Sequence, residues 1–228
     1  GLWSITISEP VYDVAEDAFK GCHPVEVHWN SRSTGGGMRY VDFGPSLKRI
    51  YFGDKVEMIP QGVCKNNTKL EEVYIPASVT TIKESAFYGC TNLRKISMGN
   101  RVESIGQDAF YNCVNLSSAL NFPSSLQAIG SNAFYGCAKI PSVTVPENLQ
   151  SIGTGAFYGC TNLKKVYNSS TMTLVPGSSD HGHVAYYAHY VYNNMELQGD
   201  YIFGQSLSYD ERYLLLGYVG NDTDLILP

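Results

Sequence analysis

Apolar residues recur at a fixed spacing along most of this chain. The block at 82–93 carries an Ile, an Ala-Phe pair, a Cys and a Leu, and the same pattern returns from Ile105, Ile129 and Ile152. The steps between these Ile residues are 23, 24 and 23 residues. Such a period is the signature of a repeat array in which each repeat buries its apolar side against its neighbours.

Each block continues into a short alternating segment. Val-Tyr-Ile-Pro at 73–76 and Val-Thr-Val-Pro at 143–146 have the period-two spacing of a strand with one buried face. Pro ends the strand because it cannot donate to a ladder of backbone hydrogen bonds. The Val-x-x-Ile and x-Ala-Phe segments that follow predict a turn and then a short helix or 3₁₀ turn.

Stacking such repeats predicts an α/β solenoid. Parallel strands form a sheet on one side, and the helical or 3₁₀ segments lie on the other. The side that carries the Ala-Phe pairs is bulkier and therefore longer, so we expect the array to curve with the sheet on its concave face.

The repeat resembles a known family. The pattern Leu-x-x-Ile-x-Met-Gly-x-x-Val-x-x-Ile-Gly-x-x-Ala-Phe-x-x-Cys at 93–113 is similar to the BspA-type (treponemal-type) leucine-rich repeat, cleanly over 59–168 and weakly over 11–58. The family is found in surface proteins of host-associated bacteria and some mucosal protists, and the resemblance implies a right-handed leucine-rich-repeat superhelix exported to the cell surface, with a bacterial source preferred. Adhesion or binding of a host protein is the family's usual assignment, and the family has no catalytic residue to transfer.

The expected organisation is a single domain over 1–228. Degraded repeats occupy 11–58 and contain a loop at 29–46, whereas regular repeats of 23–24 residues occupy 59–168. A variant repeat follows at 169–228, and we expect the array to be cut at its C-terminal end and to resume beyond residue 228.

The variant repeat is expected to contain a helix and a hairpin. Residues 184–191 predict a helix that replaces the Ala-Phe block, with its tyrosines buried. The segments 200–203 and 213–218 predict two paired strands.

Composition indicates which classes of partner and which cellular compartment to expect. Charged residues are 16% of the chain, the net charge is −5, and 17 tyrosines are present. No basic stripe predicts nucleic-acid binding, and no run of about 20 apolar residues predicts a membrane span. We expect a monomeric cell-surface or secreted protein without a cofactor, and with an export signal or lipid anchor encoded upstream.

Five cysteines share one position of the repeat, namely Cys22, Cys90, Cys113, Cys137 and Cys160, and Cys64 stands in the Phe position. Buried free thiols are the preferred interpretation, because parallel laddered side chains do not converge as a disulfide requires. Disulfides remain an alternative, and a zinc site is disfavoured by the lack of a CxxC pair.

Three other segments carry candidate chemistry. Asp180, His181, His183 and His189 could bind a metal, although a polar loop is preferred, and Asp222-Thr-Asp224 resembles a fragment of a calcium loop. Gly35-Gly36-Gly37 is interpreted as a connector, because no Gly-Lys-Ser/Thr follows it.

The candidate binding residues are the side chains that alternate with the buried ones along the strands. Exposed Tyr and Arg are enriched at protein-binding hot spots, although Tyr and Thr also suit exposed strands. A second candidate is the Tyr row at 88, 111, 135 and 158, and a third is the variant region. The concave set is Arg49, Tyr51, Glu72, Tyr74, Lys95, Ser97, Thr144, Lys165 and Tyr167.

The predicted function is non-catalytic recognition of a protein or glycan through the concave face. The alternative is a spacer repeat that displays other domains of a longer surface protein.

Overall fold

The computed structural model describes residues 3–8, 14–15, 17–31, 41, 43–198, 201–205 and 213–218, with side chains up to residue 193. The Gly35–Gly37 connector, the Asp222–Asp224 segment and the C-terminal strand expected at Leu225 lie outside the described residues. The chain winds into a parallel-strand β-solenoid of about 8 turns.

One row of strands follows the length of the solenoid. In chain order these strands are β1 (Ser4–Ser8), β2 (Glu26–Asn30), β3 (Arg49–Phe52), β5 (Glu72–Tyr74), β7 (Lys95–Ser97), β9 (Leu120–Asn121), β11 (Ser142–Val145), β13 (Lys165–Asn168) and β14 (Tyr190–Gln198).

A second row consists of two-residue strands: β4 (Met58–Ile59), β6 (Thr81–Ile82), β8 (Ser104–Ile105), β10 (Ala128–Ile129) and β12 (Ser151–Ile152). They pair in parallel in the order β12-β10-β8-β6-β4. Two further strands, β15 (Tyr201–Gln205) and β16 (Tyr213–Tyr218), pair antiparallel beyond β14.

The long row forms because its inward positions are apolar at the same point of every turn. Val27, Ile50, Val73 and Ile96 are register partners in successive strands, and all are buried. Burial of each such side chain contributes roughly 1.5–3 kcal/mol before conformational entropy is subtracted. The inward side chains therefore form continuous apolar ladders along the core.

The long row is interrupted between β7 and β9. One hydrogen-bonded sheet contains β1-β2-β3-β5-β7, and another begins at β9. The interruption coincides with the 24-residue repeat, in which four positions separate Leu116 from Leu120 where three separate Leu93 from Ile96. The amides of Ser117 and Ser118 both donate to the Arg94 carbonyl, at 3.1 and 3.3 Å. The same paired entry bonds precede continuous strand pairs at Val25 and Lys164, so the register of β9 departs only after Ser118, where the extra residue lies.

The Ala-Phe side consists of stacked turns, so the predicted helical or 3₁₀ segments are not confirmed. Every second backbone amide of this segment donates to the next turn of the solenoid. The Phe87 amide donates to the Ala109 carbonyl at 2.8 Å, and the Gly89 amide donates to the Tyr111 carbonyl at 2.7 Å. Only the intervening amides close local turns, as in the bond from Tyr88 to Ser85 at 3.1 Å. A continuous helix would need those same amides for its own ladder.

The Phe side chains stack along this side in the core. Phe87, Phe110, Phe134 and Phe157 are fully buried, and neighbouring ring centroids lie 5.1–5.2 Å apart. Where Cys64 replaces the Phe of an earlier turn, Phe52 packs edge-on against Phe87 instead. A cavity of about 220 Å³ remains beside Cys64.

The cysteines are free thiols. Each ladder thiol donates to a carbonyl at the Phe position of the preceding turn: Cys113 to Phe87 at 3.3 Å, Cys137 to Phe110 at 3.2 Å and Cys160 to Phe134 at 3.2 Å. Burial raises the pKa values of the Cys113 and Cys160 thiols well above the ordinary value of a cysteine thiol. These groups are therefore held neutral within the core.

Two predicted boundaries are wrong. Residues 29 and 30 belong to β2 with Trp29 buried, and Val41 and Phe43 pack in the core, so the loop predicted at 29–46 does not include them. The helix predicted at 184–191 is absent, because 184–187 form a turn and β14 begins at Tyr190.

The described helical element is α1 (Asp180–His183), and His181 and Gly182 inside it have left-handed φ values of 46° and 63°. Gly182 must remain small because a Cβ there would lie 2.4 Å from the Gly153 carbonyl oxygen.

Candidate binding surface

Side chains that alternate with the buried ones along β2, β3, β5, β7, β9, β11, β13 and the start of β14 point outward and form what we call the strand face. It contains the nine residues predicted as candidates and arranges them in two rows. One row runs Glu26, Arg49, Glu72 and Lys95, and then Ser142 and Lys165. The other runs His28, Tyr51, Tyr74 and Ser97, and then Asn121, Thr144, Tyr167 and Tyr192.

Opposite charges pair with each other in the N-terminal half of the strand face. The Nε and Nη2 atoms of Arg49 both donate to Glu26 Oε1, the first at 2.7 Å. The hydrogen bond with Glu26 raises the pKa of Arg49, and the negative charge of Glu26 adds to the effect. Lys48 lies 4.0 Å from Glu71 at the entrance to the same strands. The charges of this half are thus largely compensated within the protein.

An aromatic stack lies beside these charges. The rings of His28 and Tyr51 are 4.9 Å apart, and those of Tyr51 and Tyr74 are 5.8 Å apart with planes 6° from parallel. The Tyr74 hydroxyl donates to Glu72 Oε2 at 2.5 Å, and this hydrogen bond raises the pKa of Tyr74. Tyr51 covers one face of the Tyr74 ring, so the other face is turned toward Ser97 of the next strand.

A second stack occupies the C-terminal end of the strand face. The rings of Tyr167 and Tyr192 are 5.2 Å apart, and Tyr190 lies 6.2 Å from Tyr192. Partial burial raises the pKa of Tyr192. Between the two stacks, Thr144 Oγ1 donates to Asn121 Oδ1 at 3.1 Å. The strand face therefore has an aromatic stack toward each end and small polar side chains between them.

An open cleft of about 480 Å³ lies at the N-terminal end of the strand face. It extends around the ends of β1–β3 and adjoins the aromatic stack. Its lining residues are Ser4, Thr6, His28, Trp29, Asn30, Tyr51, Phe52 and Gly53.

The second candidate, the Tyr row, is a continuous stack along the turn side. Centroids of Tyr88, Tyr111, Tyr135 and Tyr158 are separated by 4.8, 4.7 and 5.2 Å. Lys65 Nζ lies over the outer face of Tyr88, and His183 meets Tyr158 edge-on. Because the faces are covered by neighbours, this arrangement supports the packing interpretation.

The third candidate, the variant repeat, differs from its predicted packing. Tyr186 and Tyr190 are 44% and 55% exposed, so the prediction that they replace core residues is wrong. Val184 and Ala185 take the buried positions, and Tyr187 packs against the core from its edge. The Tyr187 hydroxyl lies 3.3 Å from the Gly159 amide and accepts its hydrogen bond.

The polar loop before this repeat has local partners. Asp180 accepts a hydrogen bond from the Ser178 hydroxyl at 2.8 Å, and the His183 ring lies against Tyr158 and Tyr186. Among the residues that the structure describes, no group of three or more His, Cys, Asp or Glu side chains could hold a metal ion.

Besides Glu26 and Ser142, sequence reasoning missed three members of the strand face. His28 lies in a degraded repeat, Asn121 follows the extra residue of the 24-residue repeat, and Tyr192 lies in a segment predicted as helix and hairpin. Alternation from buried Val27 could have revealed His28, because Trp29 is the next inward position. The other two required the actual register.

This solenoid and its repeat identify the class of protein. The model of the BspA type leucine-rich repeat region matches six copies over residues 1–117 and 80–206, and the chain belongs to that family. Leucine-rich-repeat modules of this class are typically non-catalytic. No curated protein sequence matches the chain significantly.

Two solved structures are similar in fold. A leucine rich cell surface protein from Faecalibacterium prausnitzii A2-165 is 21% identical with a TM-score of 0.60, over 96% of this chain and 55% of that one. The T. pallidum leucine rich repeat protein is 24% identical with a TM-score of 0.53, over 68% of this chain and 76% of that one. In the described part of this chain, no helix combines the length and apolarity of a membrane span.

Proposed function

We propose that this chain is a non-catalytic recognition module, located on the cell surface or secreted, that binds a protein or glycan through the strand face. The face is taken to be the concave side of the array. The observation that carries the proposal is the pair of exposed aromatic stacks in fixed register, since Tyr contributes large contact area at low cost in conformational entropy. Parallel solenoids commonly use their extended sheet surface for such contacts.

Cross-strand contacts order the exposed side chains of the strand face before a ligand binds. Stacking fixes the Tyr51 and Tyr74 rings, and the hydrogen bond to Glu72 fixes the Tyr74 hydroxyl. Side chains that are already ordered lose less entropy when a ligand binds. A rigid solenoid therefore offers a preorganised surface of about eight turns.

The test removes the exposed rings. The triple variant Tyr51→Ala/Tyr74→Ala/Tyr167→Ala is compared with wild type for binding to an array of extracellular matrix proteins and glycans by surface plasmon resonance. The double variant Tyr158→Ala/Tyr186→Ala removes exposed rings from the turn side and serves as the control. We expect the triple variant alone to lose binding. Equal binding by the triple variant and wild type would exclude the strand face.

A spacer role is the second candidate function. It is favoured by the internal pairing of Arg49 with Glu26 and of Lys48 with Glu71, which gives these exposed groups a structural purpose. A spacer predicts no saturable ligand for wild type in the same array, and a binding domain elsewhere in a longer protein.

A further inference from the structure

The C-terminal half of the strand face differs from the N-terminal half in its charge. Arg94 and Lys95 enter β7, and Lys164 and Lys165 enter β13. None of these four cations forms an ion pair within 4.0 Å with a described carboxylate. Glu72 is the register neighbour of Lys95; its carboxylate accepts the Tyr74 hydroxyl and keeps its negative charge, so it marks the acidic boundary of this half.

The strands of this half contain no acidic residue. Asp and Glu are absent from 94–98, 117–122, 141–145 and 164–168, although the whole chain carries a net charge of −5. Lys95 and Lys165 lie on the strand face, Arg94 is exposed just before β7, and Lys164 Nζ donates to the Thr161 carbonyl at 3.1 Å. A local excess of positive charge in an acidic protein attracts anions to that place.

Aromatic rings mark the two ends of the same region. The uncovered face of Tyr74 looks along the row toward Tyr167, whose other face is covered by Tyr192. Four strand steps separate the two residues, one of them the unpaired step from β7 to β9, which is at least about 19 Å at a paired spacing of about 4.8 Å. Ser97, Asn121 and Thr144 line the floor between them. We call this region, with Tyr74 and Tyr167 as its ends, the basic trough.

We propose that the basic trough binds a linear acidic glycan, a polysaccharide with carboxylate or sulfate groups. This inference rests on the proposed recognition function and assigns its ligand. Lys95 and Lys165 pair with the acidic groups, and the floor side chains supply uncharged donors and acceptors for sugar hydroxyls. The ring faces of Tyr74 and Tyr167 pack against the apolar C–H faces of the end sugars, because Tyr combines an apolar body with a polar tip.

The floor favours a glycan over a folded protein. Protein hot spots are anchored by large side chains that fill desolvated pockets. Here the floor side chains are small and polar, and the clefts at 41–68 and at the ends of β1–β3 lie in the N-terminal half. A ligand that lies flat and hydrogen-bonds at many points matches this surface better.

The test measures binding of a heparin-derived hexasaccharide by isothermal titration calorimetry at several salt concentrations. Maltohexaose is the neutral probe, poly-glutamate the acidic peptide and single-stranded oligothymidine the nucleic acid. The variant Lys95→Gln/Lys165→Gln removes two charges from the basic trough. The control variant Lys55→Gln/Arg101→Gln removes two exposed charges from turns, so both variants have the same net charge.

We expect the hexasaccharide to bind wild type and the control equally, and the trough variant about tenfold more weakly with a salt slope smaller by about two. Tyr74→Ala/Tyr167→Ala should also weaken binding while leaving the salt slope unchanged. The assignment would be overturned if wild type did not bind the hexasaccharide, or if the trough variant and the control variant lost affinity equally. Equal or tighter binding of poly-glutamate or oligothymidine would also overturn it. If the hexasaccharide did not bind, the proposed function would still be supported by a different ligand that binds wild type and not the Tyr51→Ala/Tyr74→Ala/Tyr167→Ala variant.

Discussion

The cysteine ladder shows how one small side chain can serve the backbone of a neighbouring turn. The Phe87 carbonyl accepts the Cys90 amide at 3.2 Å and the Cys113 thiol at 3.3 Å, so both of its lone pairs have donors. Because the thiol is also an apolar group of moderate size, it fills the core without leaving an unsatisfied polar atom. This explains a cysteine position that needs neither a disulfide nor a metal.

The first prediction concerns the stability of the Cys113→Ala variant as pH rises. Burial raises the pKa of Cys113, so the thiol stays neutral when folded but ionises in the unfolded chain above about pH 8.5. The stability that it contributes is therefore complete below that pH and is lost as pH rises toward the folded-state pKa.

At pH 7 we expect the variant to be about 1–2 kcal/mol less stable than wild type, through the lost hydrogen bond and packing. By pH 10 that difference should shrink by about 2 kcal/mol, at about 1.4 kcal/mol per pH unit. Urea unfolding between pH 7 and pH 10 measures both values. Cys22→Ala, at a partly buried site, is the control, and parallel pH curves for Cys113→Ala and wild type would contradict the argument.

At the scale of the element, the extra residue of the 24-residue repeat explains the break between β7 and β9. The side-chain oxygen of Ser118 is buried and has no hydrogen-bond partner among the described residues. Deletion of Ser118 restores the three-position spacing between Leu116 and the next buried Leu. We expect β9 to join β7 and the protein to gain about 1 kcal/mol from the added ladder hydrogen bonds.

Hydrogen exchange and urea unfolding check this second prediction. Amides of Ser97 and Asn121 should exchange more slowly in the deletion variant. The matched control is deletion of Ser78, another serine with a buried unpaired oxygen, in a repeat that already has 23 residues. That deletion should destabilise the protein. Similar effects of the two deletions would show that the extra residue does not cause the break.

The elements were predictable to different degrees for physical reasons. The strands and the buried ladder followed from apolar spacing, because period-two alternation and the 23-residue period both report burial. The Ala-Phe segments did not, since a helix and a stack of turns bury the same residues and differ only in whether the Phe87 amide bonds locally or to Ala109. For the same reason, the turn at 184–187 could not be distinguished from the predicted helix by its apolar pattern alone.

The candidate surface was predictable where the strand pattern Leu-x-x-Ile could be aligned, as it could from Leu47 in the degraded repeats. Alternation placed Tyr51, Tyr74 and Tyr167 outward, but the pairing of Arg49 with Glu26 needed the degraded repeat to be aligned first. The charge difference between the two halves of the strand face also depends on cross-strand register. It could be identified only after β2 and β9 had been placed.

At the scale of the whole molecule, each turn contacts chiefly the turns before and after it. Stability in such an array is approximately a sum of terms from single repeats and from neighbouring pairs. The Phe110 ring lies 5.2 Å from Phe87 and 5.1 Å from Phe134, and it is fully buried. Its removal should therefore weaken two interfaces at the centre of the regular repeats.

The third prediction is that Phe110→Ala costs about 3–5 kcal/mol and that the loss of protection is local. Native-state hydrogen exchange should accelerate most in the turns at 82–93 and 129–140, and little around Val27 and Ile50, because those turns lie outside the weakened interfaces. Phe19→Ala, which removes the stack with Phe43 near the other end, should give the opposite distribution. Equal acceleration along the whole chain would mean that the solenoid unfolds as one cooperative unit, and the nearest-neighbour description would then be wrong.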